Sequence, residues 1–128
     1  MMTALQENEL LAAVRLPLLA DDARFGFFEF SRRAGDFGLT MALVVLRVEN
    51  GRIIDPRIGL GGVEDRPARN EAAEAVLAGE VISDALLVAA GEAAAASVSP
   101  MEDIHAPASY RAHLVKNGVL SALRKALS

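Results

Sequence analysis

A chain of 128 residues with a formal net charge of −4 and no cysteine has the size of one domain. Its charge argues against a nucleic-acid partner, which needs a basic face, and the missing thiols exclude disulfides, thiolate metal sites and cysteine nucleophiles. With 52% hydrophobic and 23% charged residues the composition is globular, and folding at this length can bury roughly two-thirds of the unfolded surface.

In chain order, Val14 and Leu16 flank Arg15 before Pro17. This alternation predicts a short strand, with a helical turn from Asn8 as the alternative. Phe25, Phe27, Phe28 and Phe30 mark the next strand, because aromatic side chains suit a pleated, half-buried surface. Ser31-Arg32-Arg33-Ala34-Gly35-Asp36 interrupts it with turn chemistry, and residues 39–49 resume with the apolar run 41–46. Asn50-Gly51 is a strong hairpin signal, since both residues tolerate the positive φ of a type I′ turn. Residues 52–60 complete the hairpin, with Pro56 pointing to an edge or a bulge.

The remainder reads as helical. A first helix is expected from Pro67 to a terminator at Gly79. A second, capped by Ser83 or Asp84, runs through the alanine-rich stretch to Val98. A third runs from near Pro107 to Leu127, burying Tyr110, Leu114, Leu120, Leu123 and Leu127. Strands first and helices afterwards indicate an α+β fold, three helices covering one face of a small antiparallel sheet. No segment reaches the ~18 consecutive apolar residues of a membrane span, and the start does not read as a signal peptide. Cytoplasmic residence is therefore expected.

The candidate motifs are few. Gly59-Leu60-Gly61-Gly62 fails the dinucleotide fingerprint, because Glu64 stands where its third glycine belongs, and no lysine follows a glycine as a P-loop requires. The cluster reads as a strand end turning toward the first helix. His105 and His113, with Asp103 and Glu102 nearby in sequence, lack the convergent ligands of a metal site. No nucleophile-elbow sequence is present, and no convergent acid, base and nucleophile set emerges; no catalytic residue is assigned.

The informative element is residues 31–37. Arg32 and Arg33 supply fixed-geometry donors for phosphate, carboxylate or carbonyl groups. Gly35 permits a tight backbone path, and Asp36 can hold an arginine or a backbone N–H. A solvated turn with an internal Arg–Asp pair is the simplest reading of these residues alone.

Phe30-Ser31-Arg32-Arg33-Ala34-Gly35-Asp36-Phe37 resembles the signature loop in the C-terminal domain of the FAD-binding medium subunit of molybdenum hydroxylases, the carbon monoxide dehydrogenase and xanthine dehydrogenase relatives. The resemblance continues through Ile58-Gly59-Leu60-Gly61-Gly62-Val63, Pro67-Ala68-Arg69, residues 71–79, Asp103-Ile104-His105-Ala106 and Ser109-Tyr110-Arg111-Ala112-His113-Leu114. Residues 1–22 resemble the junction where the family's FAD domain ends, leaving residues 23–128 as the domain proper.

The resemblance implies a three-stranded antiparallel sheet packed against three helices, docked on a preceding FAD domain. It implies Ser31, Arg32, Arg33, Gly35 and Asp36 as a flavin-side loop, with the arginines shaping the potential near the isoalloxazine and Asp36 fixing their geometry. It implies FAD as a cofactor shared with that FAD domain. The further partners are an iron–sulfur subunit and a molybdenum cofactor subunit, with electrons passing from the clusters through FAD to an acceptor. Relatives often carry a basic residue in the strand before the loop, where this chain has Glu29, or Phe28 one place earlier. The glycine-rich FAD-phosphate segments of the family are not in these 128 residues, so the chain alone is expected to hold FAD weakly. The contrasting expectation is a non-catalytic interaction module that keeps the fold without flavin and docks through Phe25, Phe27 and Phe28.

Overall fold

The computed structural model describes residues 5–128. Strand β1, Arg24–Phe30, pairs antiparallel with β2, Thr40–Glu49, which pairs antiparallel with β3, Arg52–Gly61. A two-residue strand β4, Ala68–Arg69, pairs with Gly59 and Leu60, so the sheet has four strands in the order β1-β2-β3-β4. Helices α1 (Glu71–Leu77), α2 (Asp84–Ser97) and α3 (Ala108–Leu127) follow. The α+β order and the three helices match the sequence reading. The sheet exceeds the expected three strands by β4, whose two residues carry no strand propensity and are held by pairing alone.

β4 also corrects the start of the first helix. Pro67 does not begin it; Asn70 does, its side chain accepting the Ala73 N–H at 3.0 Å as an N-cap. Asn70 is buried and completes its hydrogen bonds on Ser97 Oγ, 2.8 Å away, tying the start of α1 to the end of α2. The first strand expected around Val14–Leu16 does not form, nor does a helix from Asn8. A strand needs a neighbour to take its backbone groups, and none is offered; Val14, Leu16 and Leu18 stay exposed. The part of the junction that falls on residues 1–4 lies outside the described residues.

The hairpin forms where Asn50-Gly51 placed it, with φ of 52° and 75°. Past it, the register shifts between Val45 and Arg47, so Asp55 and Pro56 together oppose Leu46. This is the bulge that Pro56 indicated, and it relieves the missing proline N–H of any ladder partner.

Helix α3 lies directly against β1. A Cβ on Gly26 would stand 1.9 Å from the carbonyl oxygen of Ala122, so the helix backbone comes as close as the strand permits only because residue 26 has no side chain. Between α2 and α3 the same device recurs, with a Cβ on Gly91 meeting the Lys116 carbonyl at 2.7 Å and Ala90 and Ala94 fully buried alongside. The alanine-rich stretch is thus a close-packing surface. Leu46, Ile53, Ile58, Leu77 and Leu123 fill the core between sheet and helices, each burial stabilising the fold by roughly 1.5–3 kcal/mol. Of the positions expected to be buried on α3, Leu114 and Leu123 are; Leu120 and Leu127 are half-buried, and Tyr110 is exposed at the helix start. None of the described helices is long and apolar enough to cross a membrane.

The outer edge of β3 is covered on both sides of its bulge. Ile53 donates to the Glu80 carbonyl at 3.0 Å, Ile58 donates to the buried Glu74 carboxylate at 2.8 Å, and β4 takes Gly59 and Leu60. Glu74 is itself held by Arg69, whose Nε donates at 3.1 Å. The edge therefore presents no free ladder for another chain.

Candidate functional site

Residues 31–39 join β1 to β2, and the base and tip of this loop differ in kind. At the base, the Leu39 N–H donates to the Phe30 carbonyl at 2.7 Å, and Leu39 and Phe30 pack with Ala106 and Leu114 in a small second core. Phe30 also meets Tyr110 edge-to-face, with ring centroids 6.2 Å apart. At the tip, Arg32, Arg33, Ala34, Gly35, Asp36 and Phe37 are exposed. Two hydrogen bonds shape the tip from within: Ser31 Oγ donates to the Arg33 carbonyl at 3.0 Å, and the Asp36 N–H donates to the same carbonyl at 3.1 Å. Gly35 sits at φ 87°, the left-handed conformation for which glycine suits the position.

The five candidate residues thus fall in one exposed turn. Asp36 does not pair with either arginine: among the described residues, no ion pair includes Arg32 or Arg33. Exposed pairs are worth little against the entropy of fixing two long side chains, and the turn closes through its backbone instead. Asp36 supports the loop through its N–H, and the two guanidinium groups are left to solvent.

Beside the tip lies a cavity of about 420 Å3 lined by Arg32, Asp36, Phe37, Asp103, His105 and Arg111, among others. Arg111 is 3% exposed. Asp103 accepts from its guanidinium at 2.8 Å and from the backbone N–H groups of His105 and Ala106 at 2.9 and 3.0 Å. The N–H of His105 first, then those of Ala106 and Arg111, hold the Asp103 carboxyl below its ordinary value of 3.8, against an opposing effect of burial. His105 and His113 are both exposed; His113 shares its ring Nε2 with the Asn117 amide, 2.9 Å away. No group of three or more potential metal ligands occurs among the described residues.

Sequence reasoning gave Arg111 no role, although a signal exists. Arg111, Leu114, Val115 and Gly118 are all buried on α3 at the i, i+3, i+4, i+7 spacing of its inner face. An arginine on that stripe must find buried acceptors.

Among the described residues, no helix covers the second face of the sheet, and residues 18–20 reach only its Val45–Arg57 end. Strand alternation sends Phe25, Phe27 and Glu29 of β1, with Met41, Leu43 and Val45 of β2, to this side. Register aligns them in rows: Phe27 with Leu43 and Gly59, Phe25 with Val45 and Arg57, and Glu29 with Met41 and Gly61. Phe25 is 67% exposed, Phe27 45% and Leu43 47%. Phe28, grouped with them in the sequence reading, points the other way and packs over Gly118 of α3.

Residues 26–126 match the family described as the CO dehydrogenase flavoprotein C-terminal domain. The chain belongs to that family. It is 41% identical over 115 residues to the nicotine 6-hydroxylase medium subunit of Paenarthrobacter nicotinovorans, a match covering 90% of this chain and 40% of the relative. It is 33% identical over 125 residues to the carbon monoxide dehydrogenase medium chain of Afipia carboxidovorans, covering 98% and 42%. A solved structure of carbon monoxide dehydrogenase from Hydrogenophaga pseudoflava superimposes with a TM-score of 0.92 at 33% identity, over 98% of this chain and 44% of the other. The chain therefore spans about two-fifths of the length of the relatives it matches.

Proposed function

We propose that this domain serves as the C-terminal part of the FAD subunit in a molybdenum hydroxylase-type oxidoreductase. In this reading its open sheet face packs on an FAD domain, and residues 31–36 form one rim of the flavin site. The observation that carries the reading is continuity: the apolar rows of the open face end at Glu29, Met41 and Gly61, beside the loop that bears Arg32 and Arg33. A domain that covers the apolar face comes to rest against those guanidinium groups.

The fit to a flavin is partial and specific. Arg32 and Arg33 are exposed and outside the ion pairs of the described residues, so their donors are available to carbonyl or phosphate oxygens. Gly35 leaves open space where a Cβ would project, which lets a planar ring approach the backbone. The described residues offer a rim and no pyrophosphate cradle, so the dinucleotide's phosphates must be held by the covering domain. When bound, FAD supplies the two-electron and one-electron chemistry that links iron–sulfur clusters to an acceptor. Arg32 and Arg33 hold positive potential at the ring edge, the Ser31 hydroxyl and the Asp36 N–H keep the turn closed, and none transfers a proton.

Residues 5–22 then form the approach from the FAD domain, and an iron–sulfur subunit and a molybdenum cofactor subunit complete the assembly. Replacing Arg32 and Arg33 together by alanine in the assembled enzyme is expected to lower flavin content or the rate of electron delivery to the acceptor. Unchanged flavin content and unchanged turnover would sink this reading. Glu29, an acidic residue exposed on the open face beside the loop, favours a second reading, in which the domain docks without contacting flavin. Stable assembly of the double variant, with flavin and turnover unaltered, is its signature.

A further inference from the structure

We propose that Arg111 is the positioning residue of the 31–36 loop, acting through the Leu39 carbonyl and oriented by Asp103. The proposal rests on the flavin-rim reading only for its consequence; the clamp itself is a property of this chain.

Three separate segments meet at one guanidinium group. Arg111 Nη1 donates to the Leu39 carbonyl at 2.9 Å and to the Gly62 carbonyl at 2.7 Å, and Nη2 donates to Asp103 Oδ2 at 2.8 Å. Leu39 ends the loop, Gly62 follows β3, and Asp103 lies between α2 and α3. The Leu39 carbonyl accepts a second bond, from Thr40 Oγ1 at 2.8 Å, so its direction is fixed from two sides. Gly62 reaches this point at φ 74°, and a Cβ there would stand 2.5 Å from the Gly38 carbonyl oxygen. The strand end and the loop end therefore touch backbone to backbone, and Arg111 bridges them where they touch.

The chemistry selects arginine. Two carbonyls and a carboxylate converge from different directions on a buried point, and a planar fork covers all three where an ammonium point charge does not. A buried cation is tolerated only when paired, and Asp103 provides the pair while its other oxygen is held by the His105 and Ala106 N–H groups. The carboxylate cannot follow a moving guanidinium, so the guanidinium is oriented as well as neutralised. Arg111 Nε has no partner among the described residues. With the base clamped, rotation of the tip is confined to residues 31–37, and Arg32 sweeps a correspondingly small volume beside the cavity it shares with Arg111.

Amide hydrogen exchange on the 128-residue chain tests the clamp directly. The reporters are the Leu39 and Asp36 amides, both hydrogen-bonded within the loop, with Val44 and Ile58 as core references. Arg111→Met is expected to speed exchange of the loop amides by about tenfold relative to the core, and Arg111→Lys to restore only part of the difference. Should Arg111→Met fail to fold, Asp103→Asn replaces it; that variant keeps the shape, loses the charge and is expected to loosen the same amides by about threefold. Loop exchange that keeps pace with the core in a folded variant overturns the proposal. A second measurement separates the clamp from the flavin reading: the flavin absorption spectrum and midpoint potential of the assembled enzyme carrying Arg111→Met. Loosened amides with a shifted spectrum support both. Loosened amides with an unmoved spectrum and potential support the clamp and count against the loop as a flavin rim.

Discussion

The face of the sheet turned toward the helices and the face turned away from them are made of the same three strands, one residue out of step. On the inner side stand Gly26, Ala42, Val44 and Ile58, buried small or branched residues, and at Gly26 the α3 backbone passes at contact distance. On the outer side stand Phe25, Phe27 and Leu43, larger side chains left in solvent, with Met41 half-buried beside them. A chain that needed only to be stable by itself would put its large apolar groups inside and polar ones outside, as antiparallel sheets with one solvated face do. Here both faces are apolar, and the difference lies in how closely each is matched to its cover. The inner face is fitted to a cover within the same domain. The outer face is an exposed apolar patch of the kind that marks interaction surfaces, and its rows lead into the arginine loop.

The comparison breaks most visibly at Gly26. Gly26→Val puts a branched side chain where a single Cβ already falls 1.9 Å from the Ala122 carbonyl, and backbone cannot yield as a side chain does. We expect a loss of about 3 kcal/mol or more, read from urea unfolding of the 128-residue chain, and a full loss of folded protein is the upper limit. One position away, the outer face predicts the opposite. Phe25→Ser with Phe27→Ser removes exposed rings, so stability is expected to change by about 0.5 kcal/mol or less for each. The same double variant is expected to lose its association with a separately produced FAD domain, measured by calorimetry or by restored flavin absorption. If association is intact, the open face is not the docking face. A stability loss comparable to that of Gly26→Val would show instead that the two faces are not distinct.

How much of this was legible in the sequence follows from which interactions are local. Asn50-Gly51, Gly79 and Ser83 carry their instructions in their own backbone preferences, and hairpin and helix ends fell where those residues put them. The bulge was readable from Pro56 for the same reason. β4 was not, because Ala68 and Arg69 become a strand only through the partner they meet across the turn. Nor was the direction of Phe28: alternation alone gives two sets of side chains without saying which one faces the helices, and Gly118 settles it by leaving room for the ring. At the candidate site, the exposed turn and its two arginines were visible as a run of residue types. The pairing expected between Asp36 and an arginine did not follow, since a turn that closes through backbone N–H groups has no need of it. Arg111 escaped because its partners are carbonyls, which every residue carries and which no side-chain pattern announces.

The smallest expected effect lies in the link between the loop's base and the α2–α3 connection, and pH exposes it. Asp103 is held below its ordinary value of 3.8, first by the N–H of His105, then by Ala106 and Arg111. A carboxyl whose folded value is depressed stabilises the fold fully above its unfolded value, and that contribution is lost as pH falls through the lower, folded one. The Asp103 contribution is therefore constant near neutrality and declines only below 3.8. Amide chemical shifts of His105 and Ala106, followed by NMR, should titrate in that acid window, and the Leu39 amide should move with them because Arg111 joins the two. In Asp103→Asn the titration of all three should vanish while other carboxylates continue to respond. If the Leu39 amide titrates identically with and without the Asp103 carboxyl, the acid response belongs to the protein at large. In that case the outer rim of the domain, where the loop sits, is held by its small apolar core of Leu39, Ala106 and Leu114 rather than by the guanidinium between them.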